Sequence, residues 1–260
     1  MSAEEAGLPA DLLELSQIKS SHRPLRVLRP KIAIVGDPHV GKTALVRVFC
    51  GEDYPKLYVM TVDSEFRVQA VLPHVESTDA DGGGSADDGA ATGASAPGGN
   101  GTRVDMMLWD CAGQSMFNQR DYGEERLQGA SLIMAVYDVA DAASFQACAK
   151  WVSKCRAVQA SDSSRGSPSS KTGGPSPAFG ESGALGVVVA NKVDLADGGR
   201  RVVSEKDGQR FARANKLGYF ETSAKANIGV DAPFNHLAQL YVRRYDAAVR
   251  EAERVGEFMS

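Results

Sequence analysis

Gly36-Asp37-Pro38-His39-Val40-Gly41-Lys42-Thr43 is the stretch that decides the reading of this chain. Two glycines spaced by four residues and followed by Lys-Thr satisfy the phosphate-loop pattern. The apolar run Lys31-Ile32-Ala33-Ile34-Val35 before it predicts a buried strand. Ala44-Leu45-Val46-Arg47-Val48-Phe49 after it predicts the first turns of a helix. Between such a strand and helix, successive backbone N–H groups curl around an anion, and the helix N-terminus adds its partial positive charge. Gly36, Asp37, Pro38, His39, Val40, Gly41 and Ala44 then form the cradle. Lys42 reaches β- and γ-phosphate oxygens, and the Thr43 hydroxyl is a ligand for Mg2+. The plain alternative is a glycine-rich turn that binds nothing, against which the required flanks argue.

The chain has 260 residues with 29 Lys plus Arg against 33 Asp plus Glu, a net charge of -4. That length suffices for one good core or two small ones, and the balance gives no reason to expect nucleic acid as a partner. Cys50, Cys111, Cys148 and Cys155 form no CxxC pair, and the first residues carry no secretory pattern. A reducing, cytosolic compartment without structural zinc is the expectation. No apolar run is long enough to span a membrane. With Ser2 after Met1 and no cysteine among the last residues, no direct lipid anchor is expected either.

Residues 1–30 read as a flexible extension, although Leu12, Leu13, Leu15 and Ile18 fit one face of a short helix. Residues 51–61 read as a long polar loop, followed by a half-buried edge strand at 63–72 in which Phe66, Val68 and Ala70 alternate. Gly, Ala, Ser and Asp dominate 73–102, which predicts a disordered insertion between that strand and the next, at 103–110. Lengthening a hairpin loop from about four to about thirty residues costs about 2 kcal/mol of closure entropy, which a sheet pinned by other strands tolerates. Residues 131–138 and 185–191 are near-continuous apolar runs, the pattern of strands covered on both faces. Between them residues 143–158 have a helical stripe of Phe145, Cys148, Trp151, Val152 and Cys155. A second low-complexity insertion is expected at about 160–184. Helices at 204–215, capped by Ser204, and from about 232 to 253 flank a short strand at 219–221. Alternating helices and buried strands predict an α/β fold with a mostly parallel sheet and helices on both faces. Ligands on such sheets sit at the carboxyl ends of the strands.

Those strand ends carry matching chemistry in order. Asp110-Cys111-Ala112-Gly113-Gln114 offers Asp110 to hold Mg2+ through water, the Gly113 N–H to meet a γ-phosphate, and Gln114 to orient an attacking water. In Asn191-Lys192-Val193-Asp194, the two acceptor oxygens of Asp194 match the N1–H and N2 donors of guanine and meet no such pair on adenine, so the nucleotide is read as GTP/GDP. Lys192 lays its stem along the base, and Asn191 ties this loop to the phosphate loop. In Glu221-Thr222-Ser223-Ala224-Lys225, the Ala224 N–H is placed to donate to guanine O6, with Ser223 and Lys225 in the same turn.

With these motifs the chain resembles the Ras-like small GTPases of the Rab type over a core of roughly 175 residues, ordinary for one domain. The resemblance implies a single P-loop GTPase domain, residues 31–260, on a six-stranded sheet. By the family's offsets, Thr61 is the first-switch threonine that meets Mg2+ and the γ-phosphate. Tyr54 falls beside the base and Tyr58 over the phosphates; for Tyr54 a packed loop aromatic is the other reading. Gly36-Asp37-Pro38, Val40-Gly41-Lys42-Thr43-Ala44-Leu45, Tyr137-Asp138-Val139, Cys148-Ala149-Lys150-Trp151 and Ala232-Pro233-Phe234 are similar to the Rab-like small GTPases of intraflagellar transport. The family resemblance implies hydrolysis of GTP with Lys42 and Gln114 as the catalytic residues, and the departures given below predict that it is slow. The resemblance also implies a place in the intraflagellar transport B complex beside a small β-sandwich partner subunit, exchange or activating factors, and localisation to the cytoplasm and the cilium or flagellum and its base. A conventional Rab switch in vesicle traffic and a structural GTP-bound subunit with negligible turnover remain the alternatives. Two departures from the family pattern bear on turnover. Pro38 replaces the usual small residue, and Ser115-Met116 replaces Glu-Arg in a segment about two residues longer.

Overall fold

The computed structural model describes residues 26–61, 64–73, 101–113, 126–164, 186–196 and 198–258. In chain order the elements are β1 (Arg26–Leu28), β2 (Lys31–Val35), α1 (Lys42–Phe49), β3 (Ser64–Val71), β4 (Thr102–Cys111), β5 (Leu132–Asp138), α2 (Ala142–Ser164), β6 (Gly186–Asn191), a 3-10 turn (Val193–Leu195), α3 (Glu205–Ala214), β7 (Gly218–Thr222) and α4 (Asp231–Phe258).

These strands form one seven-stranded sheet, parallel except for β3, which runs antiparallel to β4 at the edge expected for it. Along the sheet the neighbours are β3, β4, β2, β5, β6 and β7. The seventh strand, β1, adds no new position. Arg26 lies opposite Thr102 and Lys31 opposite Met107 in one unbroken register, with β3 on the other side of β4, so β1 continues the line of β2. Only Arg29-Pro30 separates the two. Proline has no N–H to give, but the Pro30 carbonyl still accepts from the Met107 N–H at 2.9 Å, which keeps the ladder in step. Residues 26–30 thus join the sheet ahead of Lys31, where the domain was expected to begin.

Other boundaries move less. α2 runs to Ser164, a few residues into the stretch read as the second insertion at about 160–184, and Thr102 joins β4 at the end of the first. The bulk of both insertions, and the apolar pattern at 12–18, lie outside the described residues. Ser204 caps α3 as expected, its hydroxyl accepting from the Asp207 N–H at 3.2 Å.

Strand alternation sends side chains to two half-cores. Ile32, Ile34, Met134 and Val136 pack with Leu45 and Phe49 of α1 and with Phe234, Leu237 and Tyr241 of α4. Ala33, Val35, Ile133 and Ala135 pack with Cys148, Trp151 and Cys155 of α2 and Ala212 of α3. Phe49 and Phe234 lie face to face, centroids 3.8 Å apart. Burial on both faces is why the central strands read as unbroken apolar runs, and it leaves their carboxyl ends, with the loops that follow, as the place for polar chemistry.

Candidate functional site

The loop between β2 and α1 folds back on its own lysine. Lys42, the first residue of α1, is 7% exposed, and its Nζ donates to the Gly36 carbonyl at 2.8 Å and the Asp37 carbonyl at 2.9 Å. Burial pushes the Lys42 pKa below the usual lysine range, opposed chiefly by the negative charge of Asp110. Gly41 has φ 95, and a Cβ there would stand 2.4 Å from the amide nitrogen of Asn191. Both the backbone and the space require glycine.

Three oxygens converge beside the start of α1. The Thr43 hydroxyl donates to Asp110 Oδ2 at 2.5 Å and lies 2.9 Å from the Thr61 hydroxyl. Asp110, at the end of β4, is 2% exposed, and its Oδ1 is buried with no partner. Burial raises its pKa to about 6. One carboxylate with an unsatisfied oxygen and two hydroxyls fit a hard, oxygen-seeking divalent cation. Among the described residues no three His, Cys, Asp or Glu side chains cluster as a self-sufficient metal site, so such a cation would take its remaining ligands from elsewhere. That is how Mg2+ is ordinarily held, by one or two carboxylates, substrate phosphates and water.

A cavity of about 420 Å³ opens over these groups. Pro38, His39, Gly41, Lys42, Thr43 and Ala44 line it from one side, Tyr54, Tyr58 and Thr61 from the loop after α1, and Gly113 and Lys192 from the ends of the sheet. Gly113 is packed so closely that a Cβ would lie 2.3 Å from the Pro38 nitrogen. Position 113 therefore has no room for a side chain against the Asp37–Pro38 peptide. Gln114, Ser115 and Met116 themselves lie outside the described residues.

Asn191, at the end of β6, is the tie that the sequence suggested. Its Nδ2 donates to the Val40 carbonyl at 2.8 Å, while its Oδ1 accepts from the Thr222 hydroxyl at 3.1 Å and the Ala224 N–H at 3.3 Å. Three loops are thereby joined through one amide. The Ala224 N–H, expected to face a guanine O6, thus has a protein acceptor here. Lys192 takes a left-handed backbone, φ 66, and its ammonium pairs with Asp138 at 2.8 Å. Asp194 sits in the middle of the 3-10 turn, with Oδ1 accepting from the Ser223 hydroxyl at 2.6 Å, and Lys225 is exposed beyond.

Sequence reasoning did not find two of the supports. Trp151 reads as a core residue of α2 and is one, but its indole N–H also donates to Asp37 Oδ1 at 2.9 Å and steadies the phosphate-loop motif from below. Thr222, buried completely, orients Asn191. Neither has a spacing signal, because the partners are far apart in the chain.

The family model described as Ras family matches residues 31–80, 90–166 and 178–243. Among curated proteins, the chain is 27% identical to the intraflagellar transport protein 27 homolog of Trypanosoma brucei brucei, over 86% of this chain and 96% of that protein. It is 30% identical to the mouse intraflagellar transport protein 27 homolog, over 84% of this chain and 92% of that protein. It is also 26% identical to the Ras-related protein Rab-10 of Diplobatis ommata, over 86% of each. With a family match across most of its length and relatives aligned nearly end to end, the chain belongs to the Ras family of small GTPases.

Proposed function

We propose that this protein binds GTP and GDP together with Mg2+, hydrolyses GTP slowly, and acts as a subunit or switch in intraflagellar transport. The observation that carries the reading is the convergence of Thr43 and Thr61, which line the cavity together with the phosphate-loop motif, on Asp110 behind them with its unsatisfied Oδ1. Those three residues would hold Mg2+, which when bound neutralises charge across the β- and γ-phosphates.

Lys42 holds the phosphates and stabilises the charge that builds on them, its partial desolvation making that interaction stronger than it would be in water. Gln114 orients the attacking water. The water oxygen bonds to the γ-phosphorus as the bond from that phosphorus to the bridging oxygen breaks, which yields GDP and inorganic phosphate. Asp194 selects guanine, with Ser223 fixing its carboxylate. The slow turnover is inferred from the sequence, in which Pro38 stands in place of the family's usual small residue and Ser115-Met116 in place of Glu-Arg after Gln114.

The relatives named for intraflagellar transport support a place in that machinery, in the cytoplasm and at the cilium or flagellum. The intraflagellar transport B complex, a small β-sandwich partner and exchange or activating factors belong to the same proposal. The outer part of α4, exposed beyond Tyr245 at residues 250–255, is where such a partner would dock. Among the described residues no helix is long and apolar enough to cross a membrane. Similarity to Rab-10 favours a conventional traffic switch as the second reading.

Chromatography of the nucleotide extracted from purified protein, followed by a single-turnover hydrolysis course, tests the proposal. Guanine nucleotide with slow turnover is the expected result. Adenine nucleotide would overturn the Asp194 argument, and rapid unaided hydrolysis the argument from Pro38. Gln114→Leu should trap a cycling switch in its GTP form and leave a structural subunit's behaviour unchanged.

A further inference from the structure

His39 stands in the phosphate-loop motif at φ 65, a left-handed backbone that costs a histidine energy and a glycine none. Its imidazole projects to the cavity mouth and stacks on Tyr58, with ring centroids 4.4 Å apart and planes 28° from parallel. The two residues come from opposite sides of the same cavity. Tyr58 sits in a loop with little other packing: its neighbours Leu57 and Val59 are 79% and 76% exposed. Beyond it, the loop's carboxyl end meets α1 through the Thr61 hydroxyl, 2.9 Å from Thr43.

We propose that His39 and Tyr58 form an aromatic clasp that holds this loop closed over bound nucleotide whether or not a γ-phosphate is present, and so retains GDP. The proposal rests on the guanine-nucleotide reading above. The attachment at Thr61 is strong only while a γ-phosphate and its cation anchor that hydroxyl, and it is released when they leave. The stack at Tyr58 involves neither Thr61 nor Thr43, so it persists in the GDP form. The two nucleotide states then differ less at this loop than they would if Thr61 were its sole anchor. An offset stack of this kind accounts for a rate change of about three- to tenfold, given the usual strength of aromatic pairs.

The test is release of fluorescent GDP and of a fluorescent non-hydrolysable GTP analogue, in excess Mg2+, from the full chain and from His39→Gly, Tyr58→Leu and the double variant. Glycine suits the backbone at position 39, so the first variant removes the ring without straining the loop. The expected result is GDP release about three- to tenfold faster in each single variant, with no further gain in the double and a smaller effect on the analogue. Equal acceleration of both nucleotides would mean general loosening and would overturn the clasp. So would multiplicative effects in the double variant, or unchanged GDP release. If the unaltered protein retains neither nucleotide, the guanine-nucleotide reading fails and the clasp falls with it; binding with unaltered rates refutes the clasp alone.

Discussion

Replacing Asn191 by alanine removes a side chain that joins the phosphate loop to the two loops that follow β6 and β7. Three hydrogen bonds are lost, to the Val40 carbonyl, the Thr222 hydroxyl and the Ala224 N–H. Asn191 is 1% exposed, and Val40, Thr222 and Ala224 are all buried, so water does not readily replace the missing partner. At about 1 kcal/mol for each bond, with the 3.3 Å contact counted at the low end, the loss is about 2 to 4 kcal/mol. For a domain of this size that lowers the melting temperature by roughly 5 to 12 °C. Thermal denaturation of the nucleotide-stripped protein measures this term alone, and repeating it with saturating guanine nucleotide adds the effect on binding. Asn191→Asp sharpens the test. It keeps an acceptor for Thr222 and Ala224 but sets a carboxylate against the Val40 carbonyl, so it should be no better tolerated than alanine despite its nearly equal size. A melting temperature for Asn191→Ala within about 2 °C of the unaltered protein would refute the view that this amide ties the site together.

Trp151→Phe keeps a ring in the core but deletes the donor to Asp37; a loss of about 1 to 3 kcal/mol is expected, with faster nucleotide release, and an unchanged melt with unchanged release would show that the indole only fills space. Alkaline stability follows from the buried thiols: burial pushes Cys148 and Cys155 up to about 12 and Cys111 up to about 11. In the unfolded chain these thiols ionise near 8.5, so above that pH the unfolded state binds fewer protons than the folded one and stability falls as pH rises. The decline should be steepest between about pH 9 and pH 11, in reducing buffer, by up to about 4 kcal/mol per pH unit for the three together. Urea unfolding that gives the same free energy at pH 8 and pH 10 would contradict it.

The elements themselves were legible because their signals are local. Unbroken apolar runs marked β5 and β6, a cap at Ser204 marked the start of α3, and alternation at Phe66 and Val68 marked the edge strand, although those two side chains are exposed where the alternation implied a buried face. The candidate-site motifs were legible for the same reason, since each keeps its polar groups within a few residues at one strand end. The four residues Asn191-Lys192-Val193-Asp194 even suggested that Asn191 reaches the phosphate loop.

What the sequence by itself determined, then, is the order of strands and helices, the family and the polar motifs at the strand ends. Only the tertiary structure decided which of them hold one another. β1 is too short and too close to Pro30 to announce itself, and it exists because β4 offers it an open edge in the register that β2 has already set. Trp151 meets Asp37, and His39 meets Tyr58, because the fold brings separate segments together, and no periodicity records a contact between segments that far apart in the chain. The unsatisfied oxygen of Asp110 likewise becomes visible only after burial has removed the water that would have satisfied it.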